Sequence, residues 1–420
     1  MTSNIESSAE ESPKVGAFES FKSWNYTYFW LASLLSITSF FMLMIARGWL
    51  VFDMTGSASM VGYVSAVAQT PSLVLSVFGG VIADRFDRKK VLLLNEGINF
   101  TILLILAILV ATDVVEVWHL MLLGLINGIT FSLAFPARAA IVPSLVPPRN
   151  IANAVALSSI MFSGAQLIGP PIAGWLILVS PATAFFAASG FVGVGIPLFM
   201  LLKVRQSNNG YSAADSSVLE NIKEGVKYIS NNRLVLGLMA LGFFVVVFGL
   251  PYQTFLPVFA EDILKVGPAG LGYLAGAGGI GAIAGSLLIA AYNTVNQMKA
   301  FLVAGAIGLG VFIIGFSLSV SFALSMVLSL LAGLFFQLVM TGNFSLIQVL
   351  VPDQLRGRVL SVRFIVFGMT PGGILAVGVA SEQIGTAYAT AATGVICLAG
   401  VILCLLIFPS LYKKQRNIIE

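Results

Sequence analysis

The sequence predicts an all-α membrane protein, with twelve transmembrane helices in two pseudo-symmetric six-helix bundles. Three observations predict it. Of the 420 residues, 58% are hydrophobic and only 10% are charged, against about 45–50% and roughly 25% in a soluble domain. Such a chain lacks the charge to cover its apolar surface in water. Runs of about 20 apolar residues, enough helix to cross a hydrocarbon core of ~30 Å, recur twelve times along it. Lys and Arg also segregate. With the N-terminus in the cytoplasm, all 22 but Lys265, in an outer loop, and Arg47, within the first helix, fall in inner segments. That is the positive-inside pattern.

Residues 1–26 are polar and acidic at their start. They lack the basic start and short apolar core of a cleavable signal. A cytoplasmic tail is expected, disordered over its first 20 or so residues. The first bundle is predicted over 27–202, with spans near 27–52, 58–82, 91–111, 117–137, 152–178 and 183–202. Segment 203–232 is the long polar interior stretch and reads as a cytoplasmic linker. Within it "SVLENIKEGVKYI" has the pattern of an amphipathic helix on the membrane surface. The second bundle is predicted over 233–409, with spans near 234–260, 270–291, 300–319, 323–347, 359–380 and 387–409, then a cytoplasmic tail over 410–420. "VPPRNIANAVALSSIMFSG" from Val146 and "VPDQLRGRVLSVRFIVFG" from Val351 each precede the fifth helix of their half. This weak repeat suggests duplication, as in transporters that alternate access around a central site.

Several function classes are excluded. Cys397 and Cys404 lie seven apart in one apolar run, too far along a helix to bond to each other. One histidine, His119, and no Cys/His cluster argue against a metal site and against catalysis. A net charge of +4 is no signal for nucleic acid. "GAGGIG" (276–281) matches a dinucleotide fingerprint only formally. It lacks a preceding strand and an acid about 20 residues on. Gly272/Gly276 and Gly281/Gly285 are four apart instead, a helix-packing spacing. No cofactor is expected.

The densest charge lies in "GGVIADRFDRKK" (79–90), between the second and third spans. Its basic residues anchor topology. The order Gly80-x-x-x-Asp84-Arg85-x-x-Arg88-Lys89 closely resembles the loop 2–3 motif of the major facilitator superfamily. "RGWLVFDMTGSA" (47–58), "FPARAAIVPSLVPPRNIANAVAL" (135–157) and "GPPIAG" (169–174) look like the branch with enterobactin-exporter-like and macrolide or multidrug efflux permeases. The resemblance implies the major facilitator fold. It also implies a latch in which Asp84 pairs with Arg138 on helix 4, made in one state and broken in the other. The family usually has Gly where this chain has Asp87. "GAQLIGPPIAG" (164–174), with Gly164, Gly169, Pro170 and Gly174, reads either as a kinked packing face or as a degenerate form of the helix 5 motif of proton-driven exporters.

Charges inside spans are expensive and commonly functional. Arg47 lies in the first helix, six residues before Asp53; a structural pair or snorkelling and a role in substrate or proton coupling both stay open. Glu96, shallow in helix 3, is a candidate proton carrier or the partner of a loop arginine. Arg363, equally shallow in helix 11, is assigned to the inner gate. Asn127, Gln166, Gln253, Gln337 and Asn343 are neutral candidates for the cavity, and Phe131, Phe135, Phe162, Phe248 and Phe336 are aromatic ones. The resemblance implies a monomeric exporter in a bacterial inner membrane, exchanging protons for a small amphipathic molecule by alternating access.

Overall fold

The computed structural model describes residues 16, 18–85, 87–204, 218–291 and 294–413; for 76–85, 218, 219 and 290 it describes the backbone alone. The predicted disordered stretch through residue 15 lies outside the described residues. In the first half run α1 (Trp24–Thr55), α2 (Ala58–Arg85), α3 (Arg88–Ala111), α4 (Val117–Ile141), α5 (Ile151–Ile177) and α6 (Pro181–Met200). The helix α7 (Val218–Asn231) precedes the second half, where α8 (Arg233–Phe244), a π turn (Val245–Gly249), a 3-10 turn (Pro251–Phe255), the single turn α9 (Leu256–Val258) and a second π turn (Phe259–Ile263) form one span. Then come α10 (Gly267–Ala290), α11 (Val295–Leu318), α12 (Phe322–Leu350), the pair α13 (Asp353–Gly368) and α14 (Thr370–Ile384), and α15 (Thr386–Ile407). Among the described residues, twelve helical segments are long and apolar enough to cross a membrane. Successive spans alternate in direction, so one end of the molecule, the linker face, carries α7; the other is the far face.

Local chemistry sets the ends of these helices. Gly56 at φ +60° closes α1 in the left-handed conformation, with its N–H on the Phe52 carbonyl. Pro251 and Pro257 lack the N–H that a helix interior needs, and the seventh span loses α-geometry around them. Pro371 follows the break between α13 and α14 in the same way. The first span starts earlier than about residue 27. The turn Glu19–Lys22 docks on α5 through a 2.6 Å hydrogen bond between Ser20 Oγ and Asn153 Oδ1, so the chain is already ordered there. The amphipathic helix α7 docks on α13 rather than lying free. Its Asn221 accepts from Arg358 Nε at 3.1 Å, and Glu224 pairs with the same guanidinium.

Within the first half, α1 is tied to α5 by Tyr26 Oη on the Ala154 carbonyl (2.7 Å) and Trp30 Nε1 on that of Leu157 (3.0 Å). It is tied to α6 by Ser39 on the Ala188 carbonyl (2.9 Å). The halves meet along two seams. On one, Gly62 of α2 packs against the Gly378 backbone of α14, and Ser57 and Ser59 donate to Glu382 at the far face. On the other, Gly174, Pro170 and Pro171 of α5 pack on Gly272 and Gly276 of α10, and Trp175 Nε1 donates to Tyr273 Oη at 3.0 Å. The opposite side of α10 presents Gly281 and Gly285 to the Leu330 and Leu334 backbone of α12. Both glycine pairs, Gly272/Gly276 and Gly281/Gly285, are thus helix contacts, as their spacing predicts.

Candidate functional site

Between the seams lies a cavity of about 250 Å³. The helix α1 supplies Phe40, Met44 and Arg47, spaced to share one face of the helix. Gln69 and Ser72 come from α2, and Asn127, Phe131 and Ser132 from α4. The second half contributes Gln253 and Thr254 from its broken seventh span and Thr370 from the α13–α14 break. Irregular backbone therefore borders the cavity, which is where a membrane protein tolerates it. A smaller neighbouring pocket of about 30 Å³ is lined by Phe41, Gln166, Tyr252 and Gln253.

Arg47 is only 9% exposed, and its guanidinium lies over Gly124 of α4, where a Cβ would sit 3.0 Å from Nη1. No hydrogen bond or ion pair joins it to any described residue. Asp53 is exposed near the end of α1, so of the readings left open for Arg47 the structural pair with Asp53 does not form. Residues six apart on a helix point about 120° apart, which separates them. Phe40 and Phe131 stack beside Arg47 with centroids 4.5 Å apart and planes 13° from parallel. Asn127 donates to Asn99 Oδ1 at 3.0 Å.

A second polar cluster sits deeper in the first half, toward the linker face. Arg138 Nη2 lies 2.7 Å from Glu96 Oε1 and 3.1 Å from Ser36 Oγ. Ser36 itself donates to the same carboxylate oxygen at 2.8 Å, and Asn95 Nδ2 reaches it at 3.3 Å. The other oxygen, Oε2, is buried with no hydrogen-bond partner. Arg138 also lies over the Phe199 ring at 5.7 Å. The partner of Glu96 is therefore the helix 4 arginine, not one from a loop. The proposed Asp84 partner of Arg138, with Gly80 and Arg85, lies outside the residues whose side chains are described.

The described part of the charge-rich loop has a structural explanation. Asp87 caps α3, accepting from the backbone N–H of Lys89 (2.9 Å) and Lys90 (3.2 Å). Arg88 Nη1 donates to the Ala140 carbonyl at 2.8 Å, at the C-terminal end of α4. Lys89 Nζ donates to the Met200 and Leu202 carbonyls, each at 2.7 Å, at the end of α6. Cations at helix C-termini meet the negative end of the dipole. These contacts tie three helices of one bundle together.

Other predicted residues part company with the cavity. Arg363 is 8% exposed and binds Asn343 Oδ1 at 3.0 Å, between the Phe344 and Phe367 rings. Asn343 in turn donates to the Leu238 carbonyl at 2.8 Å. This pair braces α12, α13 and α8. Gln337 bonds Thr341 of its own helix at 2.9 Å. In the α5 motif, Gly169 packs on the Thr38 carbonyl of α1 and Gly174 on α10, while nothing lies within 4 Å of a Cβ at Gly164. Of the aromatic candidates, Phe131 lines the cavity. Phe162 packs edge-on to Phe41, and Phe248 stacks on Phe244. Sequence reasoning missed Phe40, Gln69, Ser72, Thr254 and Thr370. Polar residues flanking Pro71 and Pro371 were the available signal.

The profile of a family described as transmembrane secretion effectors matches residues 15–416. The chain is 25% identical over 380 residues to the staphyloferrin A transporter of Staphylococcus aureus, covering 89% of this chain and 94% of the relative. It is 22% identical over 398 residues to macrolide efflux protein A of Streptococcus pyogenes, covering 92% and 97%. With the enterobactin exporter of Escherichia coli it shares 26% identity over 390 residues, 92% of each chain. In fold it is similar to a bacterial homologue of the human lysosomal transporter Spinster in an inward-facing conformation. There the TM-score is 0.71 at 15% identity, over 93% of this chain and 99% of the other.

Proposed function

Because the chain belongs to the transmembrane secretion effector family of major facilitator transporters, matched over nearly its whole length, we propose that it exports a small amphipathic molecule by proton antiport. The observation that carries this reading is the cavity between the halves, lined by aromatic rings together with amide and hydroxyl groups. Rings take the apolar part of a substrate and polar groups orient it. Hydrogen bonds at Ser57, Ser59 and Glu382, and at Trp175 and Tyr273, hold the halves together at the far face. A site at mid-depth with such breakable contacts at one end suits alternating access. The macrolide and enterobactin exporters among its relatives favour outward transport.

Glu96 is the proposed proton carrier, because its Oε2 is buried without a partner while Oε1 holds Arg138. Protonation removes the negative half of that pair and loosens α3 from α4. The Lys and Arg distribution supports both termini in the cytoplasm of a bacterial inner membrane, and the proposed unit of transport is a monomer.

The test is expression in a pump-deficient bacterial strain, followed by susceptibility and accumulation screening. Export predicts raised resistance and lowered accumulation, both abolished by a protonophore and by E96Q. Raised accumulation would show import, and efflux that persists without a proton gradient would exclude the coupling.

A further inference from the structure

We propose that the central cavity is an anion seat: it takes an amphipathic molecule through a carboxylate or similar acidic group held by Arg47, with the adjoining ring or apolar portion beside Phe40 and Phe131. This rests on the transporter reading and adds the charge and shape of the cargo. Arg47 is more than nine-tenths buried, lines the cavity and has no hydrogen bond or ion pair with any described residue. The described acids all lie elsewhere: none lines either central pocket, and Glu96 is engaged by Arg138. Two other arginines inside the helical bundles, by contrast, are satisfied, half-buried Arg138 by Glu96 and Ser36, and buried Arg363 by Asn343 and two aromatic rings.

A guanidinium in a low-dielectric site without a counter-ion is unfavourable. An incoming anion supplies the counter-ion and two parallel acceptors for the planar fork. The surroundings provide for both ends of such a ligand. Gly124 leaves room over which the guanidinium lies. The Phe40–Phe131 stack offers a flat apolar wall next to it. From the second half, Gln253 and Thr254 close on the same space, so a ligand held by Arg47 touches both halves at once.

The experiment uses the purified full chain in detergent at pH 7 and two probes of nearly equal shape, 1-naphthylacetate and its neutral amide, 1-naphthylacetamide. Binding is followed by calorimetry. The wild-type protein is expected to bind the acid about tenfold or more tightly than the amide, the scale of a charge-assisted contact. R47Q should lower acid affinity to that of the amide and leave the amide unchanged; R47K should keep part of the preference. Equal wild-type affinity for acid and amide would overturn the proposal without any variant. So would R47Q weakening both probes alike, since that marks a structural role. The assay has no direction and no gradient. Acid preference in a protein that fails to export would remove the export reading alone, and export without acid preference would remove the anion seat alone.

Discussion

Glu96 and Arg138 form a buried ion pair through one carboxylate oxygen, 2.7 Å from Nη2, while the second oxygen of Glu96 stays unpartnered in the interior. The two residues lie on adjacent antiparallel helices, so the pair fixes α3 against α4 toward the linker face. Breaking a buried pair from one side leaves an uncompensated charge and costs about 3–5 kcal/mol. R138L should therefore sharply lower the melting temperature in detergent. E96Q should lower it less, because an amide oxygen still accepts from Ser36 and Arg138. The double variant E96Q/R138L should lose less than the sum of the two. Strict additivity in that cycle would mean the pair contributes nothing.

Asp87 caps α3, and loss of an N-cap costs about 1 kcal/mol for Ala but only a few tenths for Gly. D87A should lower thermal stability measurably, with D87G and D87N close to wild type. This ranking also explains why Gly, the residue the superfamily usually carries here, and Asp serve the same position. A D87G protein as unstable as D87A would contradict the cap.

Glycine contacts separate strongly by position. A Cβ at Gly281 would collide with the Leu330 carbonyl of α12, and one at Gly373 with that of Val247. Backbone cannot yield as a side-chain tip can, so G281A and G373A should reduce the folded yield in fluorescence-detected size exclusion. G164A meets nothing and should match wild type or exceed it, since Ala favours helix over Gly by roughly 0.5–1 kcal/mol. Equal yields for all three would contradict the packing geometry.

Buried Ser59 donates to the exposed carboxylate of Glu382 and so ties the far face. A half-exposed hydrogen bond of this kind contributes about 0.5–1.5 kcal/mol. E382L should shift the two-state balance severalfold toward far-face opening. Spin labels on the far-face ends of α2 and α14 should report a longer distance population. An unchanged distribution would mean that the other contacts between the halves, the glycine seams and the Trp175–Tyr273 bond, close that face without it.

The twelve spans and their alternation could be read from composition and charge because the membrane imposes both on single segments. Contacts between segments could not. Glu96 and Arg138 are far apart in the chain; the first alone reads as a shallow charge, and the resemblance matches the second to Asp84 instead. Arg47 stood out as a charge in an apolar run, yet its nearness in sequence to Asp53 pointed the wrong way, since the helix turns the two apart. Phe40 and Phe131 were two among 31 phenylalanines, and nothing local marks which of them meet. Asp87 was the reverse case. Its position before a helix carries a capping signal, but the resemblance drew attention to the glycine it replaces.

The broken seventh and eleventh spans make the two halves mechanically unequal. The first-half spans stay continuously helical through Pro71, Pro136, Pro170 and Pro171. In the second half, the ladder of i to i−4 bonds is interrupted at Val245–Gly249, Pro251–Phe255 and the α13–α14 junction, all within a few residues of cavity-lining Gln253, Thr254 and Thr370. A ladder with missing rungs bends more easily than an intact one. The stiff half then acts as a platform holding Arg47, and the compliant half as a jaw whose joints are the residues that feel the cargo.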